Sequence, residues 1–166
     1  MNRFRLFIFT LLLSCFSLSV TSQEQDEAQI KQLFTNYMEK YNHYIQTGTL
    51  NHTPSLYSKD VMVISDQSAP KMVEELKLYR QVELFLDSLK KRGVSKVNWE
   101  KVDIHMLGDN MALASNVAIR HNKQGKVVDR VGASYHLYQQ DGEWKIVAFA
   151  IHSSDKAFRF NPATKL

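Results

Sequence analysis

Cysteine is almost absent from this sequence, because Cys15 is the only one among 166 residues. It lies in the apolar N-terminal stretch, so a chain that begins at Gln23 contains none. Such a chain has no disulfide, no thiol nucleophile and no cysteine-bound metal, even in an oxidising compartment.

Metal-binding motifs and long basic runs are also missing. The six histidines show no HxH or HExxH spacing, so we expect no metal and no cofactor. The longest basic cluster is Lys90-Lys91-Arg92, which is typical of the last turn of a helix that ends before Gly93. The formal charge of +4 falls by two if Arg3 and Arg5 are removed, and the sequence therefore gives no support for nucleic-acid binding.

The N-terminus has the pattern of an export signal. Arg3 and Arg5 precede an apolar run that ends near Leu18, and the small residues 20–22 follow. This order predicts a signal peptide over residues 1–22, cleaved after Ser22, and a periplasmic or secreted protein. An uncleaved anchor is less well supported, since the run is short for a bilayer span. Lipidation at Cys15 stays open, because the preceding Leu-Leu-Ser loosely resembles a lipoprotein signal.

The remaining composition predicts a single globular domain. Hydrophobic residues make up 44% and charged residues 23% of the chain, and there is no repeat, low-complexity tract or linker. We expect one domain over residues 23–155 and a short C-terminal tail over residues 156–166.

Two helices are predicted in the first half of the chain. Apolar residues recur at helical spacing from Glu24 to Thr47, and Gly48 ends the pattern. A second helix is predicted from about Met72 to Arg92, entered through Ser68 and Pro70. A loop or short helix and a strand near residues 61–65 lie between them. The stripe of the first helix comprises Ile30, Leu33, Phe34, Tyr37, Met38, Tyr41, Tyr44 and Ile45.

After Gly93 the pattern changes to strands. Four alternating segments are separated by the turn signals GDN, NKQG and QDGE, which predicts three consecutive hairpins and an antiparallel meander. Helices followed by a curved sheet indicate an α+β domain whose helices cover one face of the sheet.

This order of elements, with LGDNMALA and the final DGEWKIVAFAIHSS, resembles the nuclear transport factor 2-like superfamily, including its SnoaL-like members. The resemblance implies a cone-shaped α+β fold in which a curved antiparallel sheet and the N-terminal helices enclose a pocket. It does not imply one activity, because similar proteins include isomerases, cyclases, dehydratases, binding proteins and assembly domains.

Strand pairing predicts which residues face that pocket. A two-residue turn at Asp141-Gly142 places Ala150 opposite Ala133 and His152 opposite Val131, and opposed residues share a face of the sheet. The many alanines on this face leave volume for a ligand. The predicted ligand-binding residues are Tyr41, Ala114, Asn116, Arg120, Ala133, Tyr135 and Ala150, with His152 at the pocket mouth.

Catalysis is possible on this face, but each residue also has a structural explanation. His152 oriented by Asp129 could act as a general base, Tyr135 or Asn116 could stabilise an oxyanion, and Arg120 could bind a carboxylate. Alternatively, Tyr135 is a core aromatic, Asn116 a satisfied buried amide, and Arg120 and Asp129 a rim ion pair. His105 is predicted to point outward, since the apolar residues alternating with it claim the core.

Binding of a small hydrophobic or amphipathic molecule is therefore the favoured function. A cofactor-independent isomerase, cyclase or dehydratase with a His/Asp pair is the alternative, and a dimeric assembly domain is a third. We expect a homodimer through the outer face of the sheet, where an apolar patch would otherwise be exposed. The C-terminal tail covering that patch with Phe158 and Phe160 is the competing arrangement. The patch comprises Leu113, Val117, Ile119, Val147, Phe149 and Ile151.

Overall fold

The computed structural model describes residues 17–160, which form two helices and a six-stranded sheet. Residues 1–16, with most of the predicted signal peptide and Cys15, and residues 161–166 of the tail lie outside the described residues. The elements are α1 (Ser17–Thr47), β1 (Tyr57–Ser65), β2 (Ser68–Glu74), α2 (Glu75–Lys91), β3 (Val94–Met106), β4 (Met111–Asn122), β5 (Val127–Gln140) and β6 (Glu143–His152), followed by one helical turn at Ser154–Lys156.

The strand order across the sheet is β2-β1-β6-β5-β4-β3. The predicted meander is confirmed, because β3 to β6 pair antiparallel with their chain neighbours. Strand β1 joins β6 in parallel, which is the one parallel pairing among the described strands. The predicted α+β class is correct, with both helices ahead of the meander. Within residues 17–160, no helix has the length and apolar character that crossing a membrane requires.

Helix α1 packs along the concave face of the sheet through its predicted apolar stripe. Ile30 and Phe34 are at most 1% exposed. The Trp99 indole donates a 2.8 Å hydrogen bond to the carbonyl of Phe34, and the Asn42 amide bonds both the N–H and the C=O of Val97. These polar contacts fix the helix against β3, since each satisfies a partly buried group that would otherwise be unpaired.

The start of α2 was predicted wrongly. Residues 68–74 form β2, a hairpin with β1 in which Val73 lies opposite Val61 and both are buried. Edge strands tolerate proline, so Pro70 marks an edge here and not the entry to a helix. The helix begins at Glu75.

A β-bulge in β6 changes the register predicted for the last hairpin. The turn at Asp141-Gly142 has the predicted form, with both φ values positive (53° and 78°). Pairing then runs as expected until Leu137 faces Ile146, but His136 faces Ala148. Val147 is therefore an extra residue, and every side chain after it is moved to the other face of the sheet.

The predicted outer patch does not form as described, because the bulge turns Phe149 and Ile151 inward. The C-terminal segment crosses the outer face instead. Phe158 accepts a hydrogen bond from Lys101 and donates one to Ser115, and the Phe160 ring stacks on His105 at 5.1 Å. The competing arrangement, in which the tail covers this face, matches these contacts. A homodimer stays a prediction that light scattering can test.

Gly132 offers a direct test of how the end of β6 packs against β5. A Cβ at that position would lie 2.5 Å from the His152 ring and 2.8 Å from the carbonyl oxygen of Ser153. We expect Gly132→Ala to lower the free energy of unfolding by about 1–3 kcal/mol, because the backbone must move. Urea denaturation followed by circular dichroism measures the change.

Gly108→Ala is the matched control, since no atom lies within 4 Å of its Cβ position and its φ is not positive. We expect a change within about 0.5 kcal/mol there. Equal stability of the two variants would contradict the close packing of the β6 end on Gly132.

Candidate functional site

A cavity of about 250 Å³ lies between the concave face of the sheet and the two helices. Phe85 and Ile151, at 38% and 44% exposure, mark its opening to solvent. Small side chains on β4 and β5, Ala118 and Ala133, leave the space unfilled. Its wall is formed by Tyr37, Met38, Tyr41, Tyr57, Val63, Leu78, Gln81, Val82, Phe85, Leu89, Val97, Trp99, Ala118, Arg120, Val131, Ala133, Tyr135, Phe149 and Ile151.

Four tyrosines from three different elements meet in this wall. Tyr37 and Tyr41 are one helical turn apart on α1, and their hydroxyl oxygens are 2.8 Å apart. Tyr57 begins β1, and Tyr135 lies in β5 with its ring 6.3 Å from that of Tyr37. The side chains of Tyr41, Tyr57 and Tyr135 all influence the pKa of Tyr37. These four residues, the tyrosine cluster, bring their phenol groups together in one part of the wall.

Burial keeps the tyrosine cluster protonated. Removal from water raises the pKa of Tyr41, Tyr57 and Tyr135 well above the usual value for a phenol. Burial also raises the pKa of Tyr37, although its hydrogen bonds and the charge of Arg120 act in the opposite direction. At neutral pH the cluster therefore consists of neutral hydroxyls, which can donate hydrogen bonds.

Arg120 is the one charged side chain among the described residues of the wall. Its Nη1 donates to both carboxylate oxygens of Asp129, at 3.1 and 3.2 Å, as the predicted strand pairing requires. Asp129 also accepts a 2.8 Å hydrogen bond from Arg92 at the end of α2. The Arg120 guanidinium lies 5.1 Å from the centre of the Phe85 ring, a cation–π distance.

Four predicted site residues line the cavity together: Tyr41, Arg120, Ala133 and Tyr135. Ala114 and Asn116 are fully buried on the same face of β4 but are not part of the cavity wall. Ala150 pairs with Ser134, so it lies on the outer face.

The predicted His152–Asp129 pair does not form. His152 lies opposite Gly132 on the outer face, and its Nδ1 is 2.8 Å from the carbonyl oxygen of Ser153. Asp129 lies beside Arg120, toward the cavity side. The bulge at Val147 is the cause, since without it His152 would be on the same face as Asp129. No group of three His, Cys, Asp or Glu side chains suited to a metal ion occurs in residues 17–160.

Sequence reasoning missed several wall residues. Phe149 and Ile151 were assigned to the outer face, and only the bulge explains their position. Tyr57 was not singled out, although a tyrosine at the start of a strand beside a buried leucine is a usable signal. Tyr37 was already in the helical stripe, one turn before Tyr41, so its place in the wall could have been found.

Asn116 is a polar side chain buried in the interior, outside the cavity wall. It is 0% exposed, and neither amide atom has a hydrogen-bond partner within the described residues. The prediction that Asn116 is a satisfied amide is therefore wrong. Two buried polar atoms without partners lower the stability of the fold.

Replacing Asn116 with leucine tests that cost. Leucine has the same branching and number of side-chain heavy atoms without polar atoms, so we expect Asn116→Leu to stabilise the fold by about 1–3 kcal/mol. Chemical denaturation measures the difference. Asn42→Leu is the matched control, because Asn42 makes two hydrogen bonds to Val97, and we expect it to destabilise by about 1–3 kcal/mol. Destabilisation by both variants would mean that Asn116 has a partner.

The tyrosine cluster predicts loss of stability in alkali. An unfolded chain ionises its tyrosines near pH 10, whereas the raised pKa values keep the four cluster phenols neutral in the fold. Their contribution is complete below about pH 10 and is lost above it, with a slope of up to about 1.4 kcal/mol per pH unit for each tyrosine. We expect the phenolate absorbance of at least four tyrosines to appear together with loss of the circular dichroism signal.

Tyr135→Phe should reduce by one the number of tyrosines whose phenolate absorbance appears together with unfolding. Phenolate absorbance that rises fully while the circular dichroism signal is unchanged would contradict burial of the cluster.

Solved structures with similar folds have low sequence identity to this chain. An NTF2-like protein with a cystatin-like fold from Novosphingobium aromaticivorans is 12% identical, with a TM-score of 0.59 over 89% of this chain and 91% of that one. An NTF2-like protein of unknown function from Pseudomonas putida is 15% identical, with a TM-score of 0.55 over 84% and 98%. The association domain of CaMKII from C. elegans is 12% identical, with a TM-score of 0.51 over 81% and 98%. These likenesses show the fold alone.

Sequence comparison identifies the family directly. A search of curated proteins found no match. The model of one family, described as NTF2-like protein (DUF6841), matches residues 25–154. That range includes the entire sheet, all of α2, and α1 without its first turns. The chain therefore belongs to this family of nuclear transport factor 2-like (NTF2-like) proteins.

Proposed function

We propose that this NTF2-like domain binds a small apolar or amphipathic molecule in the cavity between the sheet and the helices. The observation that carries the proposal is an open cavity of about 250 Å³ whose wall is mainly aromatic and aliphatic. Ligand sites in proteins are concave, mostly apolar and supplied with a few polar groups, and this cavity has the same character.

A cavity of this size leaves its wall underpacked. Protein interiors are close-packed and contain few voids larger than a water molecule. The side chains around this opening lack van der Waals partners on their cavity side. Alanines at positions 118 and 133 maintain the void, and a bound molecule would restore the missing contacts.

The polar groups in the wall define what kind of molecule fits. The tyrosine cluster supplies neutral hydroxyl donors, and Arg120 supplies a guanidinium near the opening. Trp99 and Phe149 offer flat apolar surfaces for the body of the ligand. A molecule with an apolar ring or chain and at least one hydrogen-bond acceptor can contact both the apolar surfaces and the donors of this wall.

Binding is better supported than the alternative of a cofactor-independent isomerase, cyclase or dehydratase. That alternative used His152 and Asp129, which lie on opposite faces of the sheet. Among the described residues of the wall there is no carboxylate and no imidazole, the usual general bases. The phenols are protonated at neutral pH, so they favour recognition of an acceptor over proton abstraction.

Export is part of the proposal and rests on the sequence alone. Two arginines followed by an apolar run and small residues have the order of a signal peptide over residues 1–22. An exported binding domain would encounter its ligand in the periplasm or outside the cell. N-terminal sequencing of the protein from its native host tests this, since a chain that retains Met1 in the cytoplasm would contradict it.

Binding can be measured with the uncharged dye N-phenylnaphthylamine, whose fluorescence rises in apolar surroundings. Ala133→Trp places an indole in the cavity, because Ala133 is part of its wall. We expect this variant to reduce dye affinity by at least about tenfold, since the added side chain occupies the ligand volume.

Ala150→Trp is the matched control, because Ala150 lies in the neighbouring strand on the outer face. It should bind the dye as the unmodified protein does. Equal effects of the two substitutions, or no dye binding by the unmodified protein, would overturn the proposal. Native mass spectrometry of protein purified from the host provides a second test, with a retained small molecule expected.

A further inference from the structure

The charge balance around the cavity favours an anion. Arg120 is 9% exposed and is the one charged residue in the described wall. A guanidinium beside apolar side chains has lost much of its hydration, so it requires a negatively charged or strongly accepting partner. Asp129 supplies that partner only in part.

One carboxylate is shared between two guanidiniums. Asp129 accepts hydrogen bonds from Nη1 of Arg120 and from Nη2 of Arg92. This group of three side chains, the charge trio, therefore carries one excess positive charge. The side chain of Arg92 is 50% exposed and solvated, whereas that of Arg120 is only 11% exposed. The excess charge is consequently least compensated at Arg120, beside the cavity.

Arg120 also has an unused donor. Its Nε is buried and has no hydrogen-bond partner among the described residues. That N–H has no exposed surface of its own, so it adds to the cost of burying this guanidinium, and a ligand would contact the outer part of the fork. A carboxylate matches the planar fork of a guanidinium and accepts from two of its N–H groups.

The positive charge of Arg120 acts on one phenol of the cavity, that of Tyr37. This charge acts to lower the pKa of Tyr37, against the larger effect of burial. A guanidinium and several hydroxyl donors thus line the same cavity, and the described wall contains no acidic side chain. Both kinds of group stabilise negative charge in that space.

We infer that the ligand is an apolar carboxylic acid, bound as its anion with the carboxylate on Arg120 and the hydrocarbon body against the aromatic wall. This inference rests on the proposed function, because it names the class of molecule that the same cavity takes. Asp129 holds the guanidinium from behind and reduces its cost of burial, while the remaining charge attracts the ligand.

The experiment compares phenylbutyrate with phenylbutanol, which share the hydrocarbon body but differ in charge. Both are titrated at neutral pH against the N-phenylnaphthylamine complex of the full chain. We expect phenylbutyrate to displace the dye at a concentration at least about tenfold lower than phenylbutanol, because a charge-assisted hydrogen bond replaces a neutral one. In Arg120→Met this preference should disappear.

Arg130→Met is the matched control for net charge. It removes an equal charge, but Arg130 is paired with Glu100 and is not in the cavity wall, so we expect the preference for phenylbutyrate to be retained. Arg120→Lys, which keeps a point charge without the fork, should retain part of it and serves if the methionine variant does not fold. Equal loss in Arg130→Met and Arg120→Met would overturn the inference.

The outcomes separate this inference from the proposed function. If the dye binds and Ala133→Trp blocks it, but phenylbutyrate is no better a competitor than phenylbutanol, the cavity is a binding site and the carboxylate assignment is wrong. If the dye does not bind at all, the proposed function itself fails. A preference for phenylbutyrate that depends on Arg120 supports both.

Discussion

The bulge at Val147 is the constraint on which the cavity depends. One extra residue in β6 moves Phe149 and Ile151 onto the concave face and places His152 over Gly132 on the convex face. Aromatic and branched side chains thus enclose a space that alanines alone would leave open. The same displacement separates His152 from Asp129, so one insertion into a ladder converts a possible catalytic pair into an apolar wall.

The remaining polar groups of the interior are arranged around that wall. Phenols from both α1 and the sheet meet at one side, and Arg120 lies on β4 with Asp129 and Arg92 behind it. A buried guanidinium is tolerated because its carboxylate is close, and two of the phenols, those of Tyr37 and Tyr41, satisfy each other by a hydrogen bond. The interior is therefore apolar in most of its area but selective in the few groups that can contact a ligand.

Much of this architecture could be predicted from local pattern. The stripe of α1, the four meander strands and the pairing of Ala114 with Tyr135 follow from periodicity and turn chemistry. Three features could not be predicted in this way. The bulge leaves the alternation of β6 intact on either side of Val147, so the sequence pattern does not reveal it. The edge strand β2 contains a proline that resembles a helix start. The unpaired amide of Asn116 depends on contacts from other elements.

The parallel pairing of β1 with β6 has a consequence for the order of events during synthesis. The hairpin of β1 and β2 can attach to the sheet only through β6, whose residues follow β1 by about 90 positions in the pairing of Tyr57 with Ile146. A ribosome must therefore produce the chain through β6 before the sheet can be completed. Until then the chain is a partly formed meander with an open edge.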